Sequence, residues 1–215
     1  METQVKQKIE LYKREAESQA SPECCCPGCQ QEGSAYRAHD RRRRQFYVIV
    51  GNWVQRFFTT LIRWKCILCG TTFTFYPSFC VPYKRFVLAD ITRLSERYVE
   101  ADEASYRSVV HCQGMAIGYA EEPSMSKQLS PSTVWRWLGD FGACAARLQA
   151  GLRLIQEKDP SLALHRQIRP VAPQKYRTEQ RREPLQTGRF LLSVAKVFNR
   201  LFGQVIFPRL RNARL

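Results

Sequence analysis

Apolar and polar residues alternate most regularly in residues 53–65, and alternation over such a length predicts a β-strand. The preceding run 46–50 is rich in aromatic and β-branched residues, and Gly51-Asn52 between the two runs predicts a two-residue hairpin turn. Residues 71–75 predict a third, short strand. The two faces of the 53–65 strand are Phe58, Thr60, Ile62 and Trp64, and Thr59, Leu61, Arg63 and Lys65. We therefore expect a small antiparallel sheet in this part of the chain.

Beyond residue 87 the apolar spacing changes to the helical period. A first helix starts near Leu88, and a second is predicted to begin at the N-cap Ser105 and to run to Gly114. Residues 115–129 have no regular pattern and are expected to be irregular. Ser130-Pro131 predicts the start of a third helix. The apolar positions of the first and third helices are Leu88, Ile91, Leu94 and Tyr98, and Val134, Trp137, Leu138 and Phe141.

The two ends of the chain carry further helical patterns. Residues 1–23 predict a short surface helix, to which the sequence assigns no function. The third helix is expected to continue past Gly142 to Lys158, and residues 165–189 then form a basic, flexible arm. Residues 188–207 predict a basic amphipathic helix, which could dock on its own domain, on a partner or on an anionic membrane.

Two Cys-x-x-Cys pairs give the strongest chemical signal. Cys26 and Cys29 enclose Pro27-Gly28, and Cys66 and Cys69 are followed by Gly70. Four thiolates from two such pairs fit one tetrahedral Zn²⁺, so the spacing predicts a zinc ribbon. The alternative is a set of unrelated buried or redox cysteines.

The neighbouring cysteines leave one member of the predicted ligand set, Cys26, open. Cys25 could exchange with Cys26, and Cys24 lies beside both. Cys80 follows Cys69 by eleven residues and is expected to be a small apolar filler.

The net charge of the chain indicates a class of binding partner. The chain has 215 residues and a formal net charge of +15. Basic residues exceed acidic ones by eight in residues 24–88 and by ten in residues 151–215, which indicates a polyanionic partner. No segment is apolar enough to predict a membrane span or a signal peptide, and nine cysteines is an odd count for a disulfide framework. We therefore expect a cytoplasmic, nucleoid-associated protein.

The candidate DNA contacts fall in three places. The run Arg41–Arg44 suits nucleic-acid phosphates, although a solvated hairpin edge is the alternative. The three predicted helices resemble a helix-turn-helix, in which the start of the last helix reads base edges; an ordinary three-helix packing module is the alternative. The sixteen-residue connection before Ser130 is long for that motif. The predicted DNA-binding residues are Arg41, Arg42, Arg43, Arg44, Arg63, Lys65, Lys84, Arg85, Ser132, Thr133, Trp135, Arg136, Arg177, Arg181 and Arg182.

The order of these motifs over residues 24–142 resembles a known family. CPxC, a basic run, a hairpin, CxxCG, PYKRF, SYRSVV and LSPSTVWRWL together are similar to bacterial zinc-ribbon plus helix-turn-helix proteins associated with mobile elements. They are also similar to N-terminal DNA-binding regions of insertion-sequence transposases. The resemblance implies DNA binding for transposition or transcription, with Cys26, Cys29, Cys66 and Cys69 as zinc ligands. Gln30 departs from the glycine that many knuckles carry there.

These observations predict an α+β protein with four parts. They are the surface helix 1–23, a zinc ribbon 24–82, a helix-turn-helix-like domain 83–158, and a basic arm with an amphipathic helix 159–215. No nucleophilic triad, phosphate-binding glycine loop or metalloprotease motif is recognisable, so no catalysis is expected.

The predicted function is therefore double-stranded DNA binding, as an accessory or targeting factor of a mobile element. The alternatives are an adaptor that recruits a transposase, a nuclease or another mobile-element protein, and a transcriptional regulator.

Overall fold

A computed structural model describes most of the first two thirds of the chain. The described residues are 2–18, 21–22, 26–29, 36–77, 79–81, 83–101, 105–112, 114–120 and 127–143, with 153, 156, 157 and 160 as isolated positions. The arm with Arg177, Arg181 and Arg182 and the helix predicted for 188–207 lie outside them, as do Cys24 and Cys25.

The fold is mixed α+β, as predicted, with an antiparallel sheet and several helices. Its elements are α1 (Glu2–Ser18), β1 (Tyr36–Val50), β2 (Trp53–Cys66), β3 (Thr72–Thr74), α2 (Leu88–Glu100), α3 (Tyr106–Val109), β4 (His111–Cys112), β5 (Met115–Ala116), β6 (Gly118–Tyr119) and α4 (Pro131–Ala143). No helix in the described ranges is long and apolar enough to cross a bilayer.

Strand β2 is the centre of the main sheet. It pairs along its whole length with β1, and the turn between them carries Gly51 at a φ of 58°, as the Gly51-Asn52 hairpin prediction requires. Its other edge pairs with β3 antiparallel near Cys66 and with β6 in parallel at Trp53 and Val54. One strand therefore connects the cysteine-bearing end of the sheet with the end that carries the helices.

Strand β1 has 15 residues, three times the length predicted from residues 46–50, because the strand also includes the arginine run. The guanidinium of Arg43 lies 4.2 Å from the centroid of the Phe58 ring, and that of Arg44 lies 5.4 Å from the Tyr76 ring. Guanidinium groups are attracted to the faces of aromatic rings, so these arginine side chains lie along the surface of the sheet. The arginine run is therefore part of a regular strand, although its polar sequence does not predict one.

The region between α3 and α4 also differs from the prediction. Ser105 caps α3 through a reciprocal capping box with Ser108, but the helix ends at Val109 instead of Gly114. Gly114 has a φ of 79° and lies between β4 and β5, which form a small hairpin. The stretch predicted as irregular thus contains β5 and β6, because the open edge of β2 supplies backbone partners for β6.

The largest core joins the helices to the tip of the main hairpin. Buried side chains from α2 and α4 pack there with Tyr47, Ile49 and Val54 of the hairpin. A second core lies under α1, where Val5 and Ile9 pack against Phe46 and Val48. The helix predicted for the N-terminus is therefore part of the folded core. The largest core, which we call the helical core, contains residues from both sides of the domain boundary expected at 82/83. This shared core fixes the position of α4 relative to the sheet.

Asp90 connects α2 with the outer edge of β1. Its carboxylate is 4% exposed, accepts a hydrogen bond from the Ile49 N–H at 2.8 Å and contacts Arg93 at 3.1 Å. We expect Asp90→Ala to lower the free energy of unfolding by about 2 kcal/mol, because the buried Ile49 amide loses its acceptor. Urea unfolding measures this difference. Asp40→Ala, which removes an exposed partner of Arg42, is the control and should leave the midpoint nearly unchanged. Equal midpoints for the two variants would contradict this role of Asp90.

Candidate metal centre

Four cysteine sulfurs meet at the end of the main hairpin. The Sγ atoms of Cys26, Cys29, Cys66 and Cys69 all lie within 4.8 Å of one another. The Cys26–Cys69 pair is 3.5 Å apart and the Cys29–Cys66 pair 3.9 Å. Tetrahedral bonds of about 2.3 Å to zinc would place sulfurs roughly 3.8 Å apart. The four cysteines are therefore positioned to bind a metal ion.

The backbone around the second cysteine pair forms a tight turn. Cys66 ends β2, its N–H donates to the Thr71 carbonyl at 2.9 Å, and its carbonyl accepts from the Gly70 N–H at 3.0 Å. Gly70 has a φ of 73°, a conformation that favours glycine. This turn brings Cys69 back towards Cys66.

The first cysteine pair packs closely against this turn. The Gly28 N–H donates to the Cys26 sulfur at 3.4 Å. A Cβ at Gly28 would lie 2.3 Å from the Thr71 Oγ1, 2.9 Å from the Thr71 Cβ and 3.2 Å from the Cys69 sulfur. Only a residue without a side chain allows this approach of the two turns.

The four thiols have two kinds of surroundings. Cys26 and Cys66 are fully buried, whereas Cys29 and Cys69 are exposed. Burial raises the pKa of Cys26 to about 11. Hydrogen bonding with Thr71, whose hydroxyl lies 3.3 Å from the sulfur, lowers the pKa of Cys69 to about 6. Cys69 can thus offer a thiolate at neutral pH, and a cation would favour the thiolate of Cys26.

A small core supports the cluster from one side. Ile62 and Trp64 of β2 pack with the buried cysteines, and the rings of Tyr36 and Phe73 meet edge to face at 5.0 Å. The apolar wall holds the buried half of the cluster in place.

Cys80 belongs to a different part of the molecule. It is buried with Phe79 and Val87 in the core under α1, where burial raises its pKa to about 12. Its prediction as an apolar filler is confirmed.

Helix α4 presents three of its four predicted DNA-binding residues to solvent. Ser132, Trp135 and Arg136 are exposed, and the Arg136 guanidinium donates to the Ser132 hydroxyl at 3.1 Å. Thr133 is half-buried. On the opposite face Val134, Trp137 and Leu138 are buried in the helical core, whereas the side chain of Phe141 lies outside the described part.

The arginine run divides by strand alternation. Arg41, Arg42 and Arg43 are exposed, whereas Arg44 is half-buried and donates to the Lys84 carbonyl at 2.9 Å. Arg42 pairs with Asp40 at 2.8 Å, and this hydrogen bond lowers the pKa of the Asp40 carboxyl. The run therefore contains two arginines with partners inside the fold, Arg42 and Arg44, and two exposed arginines, Arg41 and Arg43, on the other face of the strand.

Four further predicted basic contacts lie at two other places. On the cysteine-bearing end, Arg63 donates to the Thr72 hydroxyl at 2.8 Å, and Lys65 is half-buried. Beside α4, the Lys84 ammonium forms an ion pair with Asp140, and Arg85 lies 3.5 Å from the Tyr47 hydroxyl. The positive charge of Lys84 is thus offset within the fold.

Sequence reasoning did not identify three contacts, one at the metal centre and two among the predicted DNA-binding residues. Thr71 contacts both Gly28 and Cys69, and its only signal was a hydroxyl two positions after the last cysteine. Asp140 was not connected with Lys84, because the two residues are distant in sequence. Phe58 was placed on a strand face, but its contact with Arg43 depends on the register between strands.

Comparison of the chain with protein-family models, with curated proteins and with solved structures gave no match.

Proposed function

We propose that this chain is a zinc-containing protein that binds double-stranded DNA sequence-specifically and has no catalytic activity of its own. The exposed face of α4 is the observation that carries the proposal. Ser132, Trp135 and Arg136 stand on successive turns near the start of a helix whose opposite side is anchored in the largest core. Side chains at that position of a recognition helix reach base edges in the major groove, where arginine pairs with guanine.

Zinc is the metal that best fits the cysteine cluster. Soft thiolates select zinc or iron–sulfur chemistry, and two Cys-x-x-Cys turns whose Cys26–Cys69 and Cys29–Cys66 sulfurs lie 3.5 and 3.9 Å apart suit one tetrahedral ion. An ion bound there would cross-link the turn at Cys26–Cys29 with the turn at Cys66–Cys69. Such a cross-link is what the zinc ribbon proposed from the sequence requires.

The helices support a variant of the helix-turn-helix. All three pairs among α2, α3 and α4 are in contact. The connection from α3 to α4 carries β4, β5 and β6 in place of a short turn. In this proposal α2 and α3 pack beside the reading helix.

Charge supplies the sequence-independent part of the proposed affinity. The net charge of +15 and the exposed arginines of β1 suit phosphate contact. Lys84 is left out of the proposed contact set, because Asp140 neutralises it, while Arg177, Arg181 and Arg182 remain in it as part of the basic arm. By its resemblance to mobile-element proteins, we assign the chain a targeting or accessory role at an element end, in the nucleoid.

One observation favours the adaptor alternative. Ile67 and Leu68, at the tip of the second cysteine turn, are 60% and 67% exposed. Exposed apolar side chains on a rigid turn suit a protein partner such as a transposase. A salt series separates the two functions, because phosphate contacts predict a steep loss of duplex affinity between about 50 and 200 mM salt. Absence of duplex binding at the lower salt would favour the adaptor.

Arg136→Ala tests the reading helix. Duplexes selected from a random pool by the wild-type protein supply a preferred site, and shuffled duplexes supply the reference. We expect the variant to lose about 1–3 kcal/mol of discrimination between them, because a bidentate arginine–guanine contact is removed. Competition binding measures the difference.

Arg97→Ala on α2, also an exposed arginine, is the matched control and should retain full discrimination. An equal loss of affinity on selected and shuffled duplexes would assign Arg136 to phosphate contact instead and contradict the proposed reading role.

A further inference from the structure

The middle of the main hairpin has an open face between two cores. On this face Arg41 and Arg43 of β1 stand opposite Ile62 and Thr60 of β2, and Phe58 follows two residues before Thr60. The hairpin tip beyond Phe58 packs into the helical core, and Ile62 begins the small core of the cysteine cluster. Arg41, Arg43 and Phe58 form what we call the arginine–phenylalanine face.

The arginines of this face are free to bind. Within the part of the chain that the structure describes, the side chains of Arg41 and Arg43 have no hydrogen-bond or ion-pair partner, and both are exposed. Their neighbours on the opposite face, Arg42 and Arg44, have partners in Asp40 and the Lys84 carbonyl. Strand alternation thus concentrates unpaired positive charge on one side of the sheet.

Phe58 adds a second kind of contact. Its ring is 41% exposed, although it is a large apolar side chain, and the Arg43 guanidinium lies 4.2 Å from its centroid. A guanidinium on an aromatic ring offers a flat, cationic surface on which a nucleobase can stack. Bases in a duplex are already stacked on each other, so only an unpaired base can use such a surface.

We propose that the arginine–phenylalanine face binds an unpaired segment of nucleic acid. One base stacks on the Arg43–Phe58 pair, and Arg41 and Arg43 contact the adjacent phosphates. This face lies on β1 and β2 and shares its arginines with the proposed phosphate contacts to a duplex, but base stacking at Phe58 requires neither zinc nor duplex reading by α4. Its failure and the failure of the proposed duplex function are therefore distinguishable.

Binding of a fluorescein-labelled oligothymidylate of about 15 nucleotides to the full chain tests the proposal. Fluorescence anisotropy should show binding by the wild type, and Phe58→Leu should weaken it at least about fivefold, because the apolar bulk remains but the ring is lost. Arg43→Lys should weaken it similarly, because the charge remains but the planar stack is lost.

The matched controls are Leu11→Ala and Arg97→Lys, which alter an exposed apolar residue and an exposed arginine elsewhere. Both should bind as the wild type does. No binding by the wild type at low salt, or unchanged binding by Phe58→Leu and Arg43→Lys, would overturn the proposal.

Photocrosslinking of the wild-type chain gives a second readout that does not depend on the folding of a variant. An oligothymidylate with 5-iodouracil at one position should crosslink to the tryptic peptide 57–63, which contains Phe58. Crosslinks confined to peptide 128–136, which contains Trp135 of α4, would place the unpaired strand on the reading helix and overturn the proposal.

Discussion

Replacing Cys66 by serine is expected to abolish stoichiometric metal binding and to unfold the cysteine-bearing end of the hairpin. Cys66 is fully buried at the end of β2, and a serine hydroxyl is a poor substitute for a thiolate. Metal binding in such sites contributes about 10 kcal/mol or more to folding, so the loss exceeds what the small apolar core can offset. Elemental analysis of the purified variant measures the metal content.

Hydrogen exchange shows how far the effect of Cys66→Ser extends. Amide protection should fall around Tyr36, Trp64 and Phe73, which pack beside the cluster, and should persist in α2 and α4, which lie in another core. Cys80→Ala is the control, because it removes a buried thiol from the core under α1 and should retain one equivalent of metal. Unchanged metal content in Cys66→Ser would remove Cys66 from the ligand set.

Gly28→Ala is expected to weaken metal affinity by roughly 100-fold, because the turns that carry the ligands must move apart. The added Cβ would lie 2.9 Å from the Thr71 Cβ, and rotation of the threonine side chain cannot relieve that contact. Competition with a chromogenic chelator measures the affinity of wild type and variant.

Two variants control this second experiment. Gly51→Ala lies at the hairpin turn with a φ of 58° and open space around it, so it should cost about 1 kcal/mol of stability and leave metal affinity unchanged. Thr71→Gly removes the clashing side chain but also the hydroxyl that hydrogen-bonds to the Cys69 sulfur, so the Thr71→Gly single variant is the reference for the double variant. Gly28→Ala should weaken metal affinity less in the Thr71→Gly background than in the wild type, and an equal loss in both backgrounds would show that the clash is not the cause.

The sequence predicted the cysteine cluster because spacing constrains local chemistry. Two cysteines separated by two residues can bind one ion whatever surrounds them, and the predicted set is the one that the structure brings together. Helices α2 and α4 could also be predicted from the sequence, because apolar residues at helical spacing indicate a buried helix face. Cys80, placed by its lack of a paired neighbour, also lies where expected.

The elements that were mispredicted depend on contacts distant in sequence. Arg43 and Arg44 continue β1 through its pairing with β2, and aromatic rings from other segments lie beneath their guanidinium groups. Gly114 fits the end of a helix as well as a hairpin turn, and the pairing of β4 with β5 decides in favour of the turn. Asp90 looks like an ordinary acidic residue in a first helical turn, and its bond to Ile49 exists only after β1 and α2 have come together.

The uninterrupted course of β2 has an evolutionary consequence. Its 14 residues span roughly 45 Å between the helical core and the cysteines. Removing one residue from each strand would shorten that span by about 3.4 Å and turn every side chain beyond the deletion to the opposite face. Length variants of this hairpin that keep both ends working should therefore differ by even numbers of residues per strand, so that the separation of the two ends can change only in discrete increments.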